Sequence, residues 1–248
     1  MERTASLKSI KNALDAIAEA ITDVIPDSKV TKSYQDKNDA LRLTVEQQPV
    51  QIKIELSPML RGTVYEPGMM TVCEAVEDEF GFAEMTVVAF ADLYAGKICA
   101  ALDRQHPRDL FDIKFLLDNE GLTQELRKAL LVYIISHPRP ISELLQPQRK
   151  DIAAIYEGEF RNMAEIDVPL AELVAVREHL INLIQTSITQ QERQFLMSFK
   201  NREPDWALLQ LSDVEQLPAV RWKQQNLEKM QPDKHAEAVD RLRKVLEI

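Results

Sequence analysis

Cysteine, glycine and aromatic side chains are all scarce in this chain of 248 residues, and each shortage removes a class of protein. The two cysteines, Cys73 and Cys99, form no CxxC pair and have no histidine close in sequence. That excludes a disulfide framework or a cysteine-based zinc site, and both are expected as reduced core residues. Only six glycines are present, and nowhere do they form a Gly-rich phosphate loop. No apolar run reaches the length that spans a bilayer, and the N-terminus, MERTASLKSIKNALDAIAEAI, is amphipathic rather than signal-like. The expectation is a cytoplasmic protein with no membrane partner. A surplus of positive charge is also missing: 30 Lys and Arg face 40 Asp and Glu, a net charge of −10. Broad, nonspecific binding to a nucleic-acid backbone is therefore excluded, while a local basic cleft stays open. Between Glu66 and Glu84 stand six acids and no base, so any RNA would bind elsewhere.

Catalytic signatures are missing too. There is no GxSxG elbow and no HExxH helix. The HPRD at His106 lacks the asparagine, Gly-rich loop and DFG that a protein-kinase catalytic loop requires. His106, His137, His179 and His235 are scattered and form no triad with a nucleophile, so each is expected as a surface or satisfied residue.

What is present is a strong change of period along the chain. Residues Thr4 to Val24 carry Leu7, Ile10, Leu14, Ile17, Ile21 and Val24 on one helical stripe, ended by Pro26. Lys29 to Tyr34, Ala40 to Glu46 and Val50 to Leu56 then alternate apolar and polar residues with β-branched enrichment, which predicts three strands. They are separated by turns at Asp36–Asp39 and Gln47–Pro49. Arg61 to Met70 reads as a loop, with further strand at Thr71–Ala75 and Glu84–Val88. Beyond Ala89 the pattern is helical: Ala89–Asp103, Arg108–Asn119, Thr123–Ser136, Arg149–Tyr156, Pro169–Thr186, Gln190–Asn201, Pro218–Met230 and Asp233–Glu247. Thr123 and Asp233 suit N-caps, and Pro169 and Pro218 suit first turns. The expected layout is α+β: an α/β unit at 1–88 and a helical unit at 89–248, with a looser connection at 201–218.

Two segments carry candidate chemistry. DLYAGKICAALDRQHPRDLFDIKFLL, Asp92 to Leu117, sets Asp92, Lys97, Arg104, Arg108, Asp109 and Asp112 on two helices joined by His106-Pro107. Lys97 and Arg104 lie two turns apart on one face, and Asp109 and Asp112 are neighbours three apart. Such a set is either a solvated face of weak ion pairs, each worth about 0.2 to 1 kcal/mol, or a cation row that binds a polyphosphate. In VQIKIEL, Lys53 and Glu55 share one strand face and Val50, Ile52, Ile54 and Leu56 the other. The polar face is either plain solvent exposure or the wall of a cleft, where Glu55 would suit Mg²⁺.

VQIKIELSPMLRGTV, followed by EMTVVAFADLYAGKICAALDRQHPRDLFDIKFLL, resembles the middle of the AbiEii/AbiGii toxin family, nucleotidyltransferase-like proteins of bacterial type IV toxin–antitoxin and abortive-infection systems. Asp92, Lys97, Arg104, Arg108-Asp109 and Asp112 match that family's order of Asp, Lys, Arg and Arg-Asp-x-x-Asp. Glu55 matches the third acid of its sheet, with Lys53 beside it. The resemblance implies a small mixed sheet followed by helices, and transfer of a nucleoside monophosphate from an NTP to an acceptor such as an RNA end. It implies Lys97, Arg104 and Arg108 on the nucleotide, Lys97 and Asp109 as catalytic groups, Asp92, Asp112 and Lys53 as supporting pairs, Glu55 as a Mg²⁺ ligand, and an antitoxin protein as partner.

The family's Gly-Gly-Ser/Thr turn and Asp-x-Asp strand do not occur before Glu55. The N-terminal segment resembles instead the helix that follows that strand. The expectation is an incomplete sheet, whose open edge is covered by an upstream fragment, a second copy or a rearrangement. A misassigned start, a split gene and a degenerate member each account for it. Little turnover is expected from these residues alone, because two-metal transfer needs more carboxylates than Glu55. The competing expectation is a noncatalytic interaction protein.

Overall fold

A computed structural model describes residues 3–35, 40–56 and 61–248, and the protein is α+β. It divides into two compact units, Met1–Leu60 and Arg61–Ile248.

In the first unit, helix α1 (Arg3–Val24) is followed by β1 (Lys29–Gln35), β2 (Ala40–Gln47) and β3 (Val50–Leu56) in the antiparallel order β1-β2-β3. Every described strand pairing is antiparallel, where the family resemblance implied a mixed sheet. The expected turn at Asp36–Asp39 lies outside the described residues. Alternation sets the register: Leu43 stands opposite Lys32 on one side and Ile54 on the other. Leu14 and Ala18 of α1 bury against Leu41 and Leu43, a core flanked by Tyr34, Ile54 and Leu56. At the rim of this contact, Asp15 accepts from Lys32 Nζ at 2.7 Å and Tyr34 Oη at 2.9 Å. Lys32 and then Tyr34 hold the Asp15 carboxyl below its usual range. On β3, Val50 and Ile52 belong by alternation to the face of Ile54 and Leu56, yet they remain 58% and 57% exposed.

The second unit opens with a loop and a two-stranded hairpin, β4 (Gly68–Thr71) and β5 (Glu84–Val87), enclosing α2 (Glu74–Phe80). The strand expected from Thr71 is shifted: it ends there, and Glu74 and Glu77 instead occupy a first helical turn, where carboxylates are favoured. None of α2 is buried.

Helices α3 (Phe90–Asp103), α4 (Pro107–Asn119) and α5 (Gln124–Ser136) form the frame of this unit. Ala91, Ala95, Ile98, Cys99 and Leu102 of α3 join Leu110, Ile113 and Leu116 of α4 and Leu126, Leu130, Ile134 and Ile135 of α5 in one continuous core. Each large aliphatic side chain buried this way contributes about 1.5–3 kcal/mol. Short α6 (Ile141–Leu145) follows, then α7 (Ala153–Ile155), which continues as a π-turn at Tyr156–Phe160. The chain finishes with α8 (Leu170–Ser187), α9 (Gln190–Lys200), α10 (Pro218–Glu228) and α11 (Pro232–Leu246).

Cap chemistry explains several boundaries. Thr123 Oγ1 accepts from Leu126 N, as expected. Pro232, not Asp233, opens α11, so Asp233 sits inside its first turn. The 201–218 stretch is packed rather than loose: its Leu209 and Val214 are buried in the core, and Trp206 lies against Phe195 and Phe199. Its one-turn 3-10 helices carry no extended period for a sequence to show. Residues 61–67 belong with the helices and not with the first sheet, because the Val64 and Tyr65 amides donate to Asp92 of α3. Among the described residues no helix is long and apolar enough to cross a membrane.

Candidate functional site

The α3–α4 corner is built by two adjacent signals. Gln105 takes a left-handed φ of 55° that ends α3, and Pro107 supplies the first residue of α4. Gln105 is buried but fully engaged: its amide donates to Gln148 O, while its carbonyl oxygen accepts from Lys150 N and Arg177 Nη1. His106 caps α4, its Nδ1 accepting from Arg108 N at 3.1 Å. That acceptor role leaves the ring proton on Nε2, which faces Glu159 Oε2 at 3.2 Å.

The two helices carry the ionic residues in pairs. Lys97 Nζ of α3 meets Asp112 Oδ2 of α4 at 2.5 Å, with both side chains about one-third exposed. Arg104 donates twice to Asp109, Nε to Oδ2 at 3.1 Å and Nη2 to Oδ1 at 2.7 Å. Asp109 also lies in the first turn of α4, where the helix dipole favours a negative charge. With both its oxygens taken by Arg104, Asp109 orients that guanidinium rather than presenting a free base. Arg108 differs: its guanidinium has no hydrogen-bond or ion-pair partner among the described residues.

Arg108, Asp112 and Glu165 line an open cavity of about 380 Å³ together with Phe111, Phe160, Met163, Ala164 and Ile166. The Phe111 and Phe160 rings lie 5.4 Å apart. On this lining Arg108 is the one cation, facing the carboxylates of Asp112 and Glu165, and the Lys97–Asp112 pair stands beside it. Phe160 carries no local sequence signal, because it sits in a π-turn some fifty residues from Arg108.

Asp92 stands apart from these cations. It is 1% exposed and accepts from Val64 N at 2.7 Å, Tyr65 N at 2.9 Å and Tyr133 Oη at 3.0 Å. Its carboxylate anchors the loop after Arg61, and burial followed by its charge pushes the Tyr133 phenol well above the usual tyrosine range. In the first unit, Glu55 forms an ion pair with Arg42 across the β2–β3 register, and Lys53 stands exposed opposite Thr44. A magnesium site does not fit this arrangement. Glu55 pairs with Arg42 at the surface, and among the described residues no three acidic, histidine or cysteine side chains stand together. No chemical step through a metal follows from these residues.

Cys99 is buried and its thiol is pushed up to about 12 by burial, whereas Cys73 is exposed, contrary to the expectation of two core cysteines.

A family model described as the nucleotidyl transferase AbiEii toxin of type IV toxin–antitoxin systems matches residues 1–226. No curated protein and no solved structure matches the chain.

Proposed function

Since the chain belongs to the AbiEii family of nucleotidyltransferase-like toxins from type IV toxin–antitoxin systems, we propose that its α3–α4 face is the nucleotide-binding half of a nucleotidyltransferase site. The carrying observation is Arg108, an unpaired guanidinium at the mouth of a cavity walled by Phe111 and Phe160. The triphosphate of an NTP would engage Arg108 and draw Lys97 from Asp112, a solvent-screened pair that gives way at little cost. Arg104, held in plane by Asp109, extends the cationic row, and the base lies against the aromatic wall. In nucleotidyl transfer such donors offset charge developing on the phosphoryl oxygens, and the acceptor in this reading is an RNA end. Membership of a toxin–antitoxin system implies an antitoxin protein as partner. Little turnover is expected of the described residues, because among them no three acidic, histidine or cysteine side chains stand together to hold a pair of metals.

Calorimetric titration with each NTP, with and without Mg²⁺, tests the reading. Arg108→Ala should weaken binding about tenfold, equivalent to about 1.4 kcal/mol, with a similar loss in Lys97→Ala. The self-neutralised pairs Lys97–Asp112 and Arg104–Asp109 favour a second reading, a noncatalytic interaction protein in which ionic residues tie two helices together. Absence of NTP binding under either condition would select that one. Incorporation of labelled nucleotide into total RNA by these 248 residues alone would overturn the expectation of little turnover.

A further inference from the structure

Four cations of the second unit surround one cavity, and none forms an ion pair among the described residues. Lys200 ends α9, Lys223 lies on α10, and Lys234 and Arg241 stand two turns apart on α11. The cavity measures about 400 Å³, and its apolar wall includes Ile141, Leu227 and Met230. Glu237 is the one acid on its lining, so four positive charges against one negative leave a local surplus of three in a protein of net charge −10.

Lys200 is the unusual member. Only 7% of it is exposed, its side chain is on the cavity lining, and its ammonium has no hydrogen-bond acceptor among the described residues. Its backbone oxygen is occupied by His235 Nε2 at 2.8 Å, which holds the end of α9 against α11. Burial, then Arg241 and Arg202, push the ammonium below the usual lysine range. Lys223 is engaged differently, donating to the carbonyl oxygens of His137, Pro138 and Arg139 beyond α5. Those acceptors favour its charged form, while burial and the neighbouring Lys200 push it down to about 8. A lysine largely withdrawn from water with no counter-anion is disfavoured in its charged form, and a second cation repelling it adds to the cost. An anion seated between them removes both penalties.

We propose that this cavity binds a small phosphorylated organic molecule, with its phosphate on Lys200 between Lys234 and Arg241 and its apolar part against Ile141, Leu227 and Met230. A phosphate dianion offsets more of the surplus charge than a carboxylate does, and the Arg241 fork matches its oxygens. The volume suits a ligand of that size. The site shares no residue with the α3–α4 face and does not depend on the nucleotide reading.

Titration calorimetry on the full chain with phenyl phosphate, inorganic phosphate and benzoate tests the assignment. One-to-one binding of phenyl phosphate is expected, tighter than inorganic phosphate and at least tenfold tighter than benzoate. Lys200→Met should weaken it tenfold or more and raise the unliganded melting temperature, because the uncompensated charge is gone. Arg241→Ala, at the exposed rim, should weaken it several-fold and keeps the test alive if the core variant does not fold. Absence of saturable binding, benzoate equal to phenyl phosphate, or unchanged affinity in both variants would each overturn the proposal. So would binding that survives in Lys200→Met but disappears in Arg108→Ala, since that places the ligand on the α3–α4 face.

Discussion

Asp92 and Asp112 are both aspartates on the α3–α4 frame, yet they do different work. Asp112 is a partly exposed partner of Lys97, whereas Asp92 is buried under two amides and a phenol. Replacing Asp92 by Ala strands those donors and should cost about 3 kcal/mol, read as a lower urea midpoint with little change in slope. Asp112→Ala, at a screened pair, should cost less than about 1 kcal/mol. His137 supplies a pH dependence. Burial holds its imidazole below the ordinary value of 6.5, aided by Arg61, Lys223 and Arg139 and opposed by Asp103. The unfolded chain then takes up this proton at a higher pH than the folded one. Its contribution is intact above about pH 6.5 and declines as pH falls from there toward the folded value. Urea unfolding at stepped pH should show a shallower acid loss in His137→Asn, which keeps an acceptor for the Arg139 amide. At the cysteines, a thiol reagent should label Cys73 alone in the native protein and Cys99 only after denaturation.

At the scale of elements, caps and close approaches decide where helices start and how they pack. Thr189 and Glu192 form a reciprocal capping box on α9, and Glu192 also receives Arg127 Nε from α5 at 3.0 Å on each oxygen. Glu192→Ala should therefore cost about 3 kcal/mol, more than a cap alone, because it leaves a nearly buried arginine unpaired. Gly62 has a φ of 78°, and a Cβ there would lie 2.9 Å from Leu217 Cδ2. Gly62→Ala should destabilise by more than about 1 kcal/mol, seen as a lower melting temperature. The periodic elements were legible: α1 and the three strands of the first unit lie within a residue or two of their expected bounds, because amphipathic period alone sets them. Strand β5 also lies within a residue of its expected span, but β4, α2 and the turns at 201–218 were not legible, since such short elements carry too few residues for a period. Lys97–Asp112 and Arg104–Asp109 could be suspected from spacing, but the unpaired state of Arg108 could not.

For the whole molecule, the two units differ in the core each owns. The first relies on Leu14, Ala18, Leu41 and Leu43, a small core for an independent fold, while the second buries a continuous cluster from Ala91 to Leu246. Residues 61–248 expressed alone should unfold cooperatively in a thermal scan, and residues 1–60 alone should not. The amino-acid sequence by itself determined the α+β class, the order of helix, strands and helices, and the family, because these rest on local period and motif order that travel with the chain. Tertiary structure alone decided which charges are spent and which remain free. Pairing, burial and counter-ion distance depend on residues far apart in sequence: Asp92 with Val64, Arg108 beside Phe160, and Lys200 facing a cavity shared with Ile141 and Arg241.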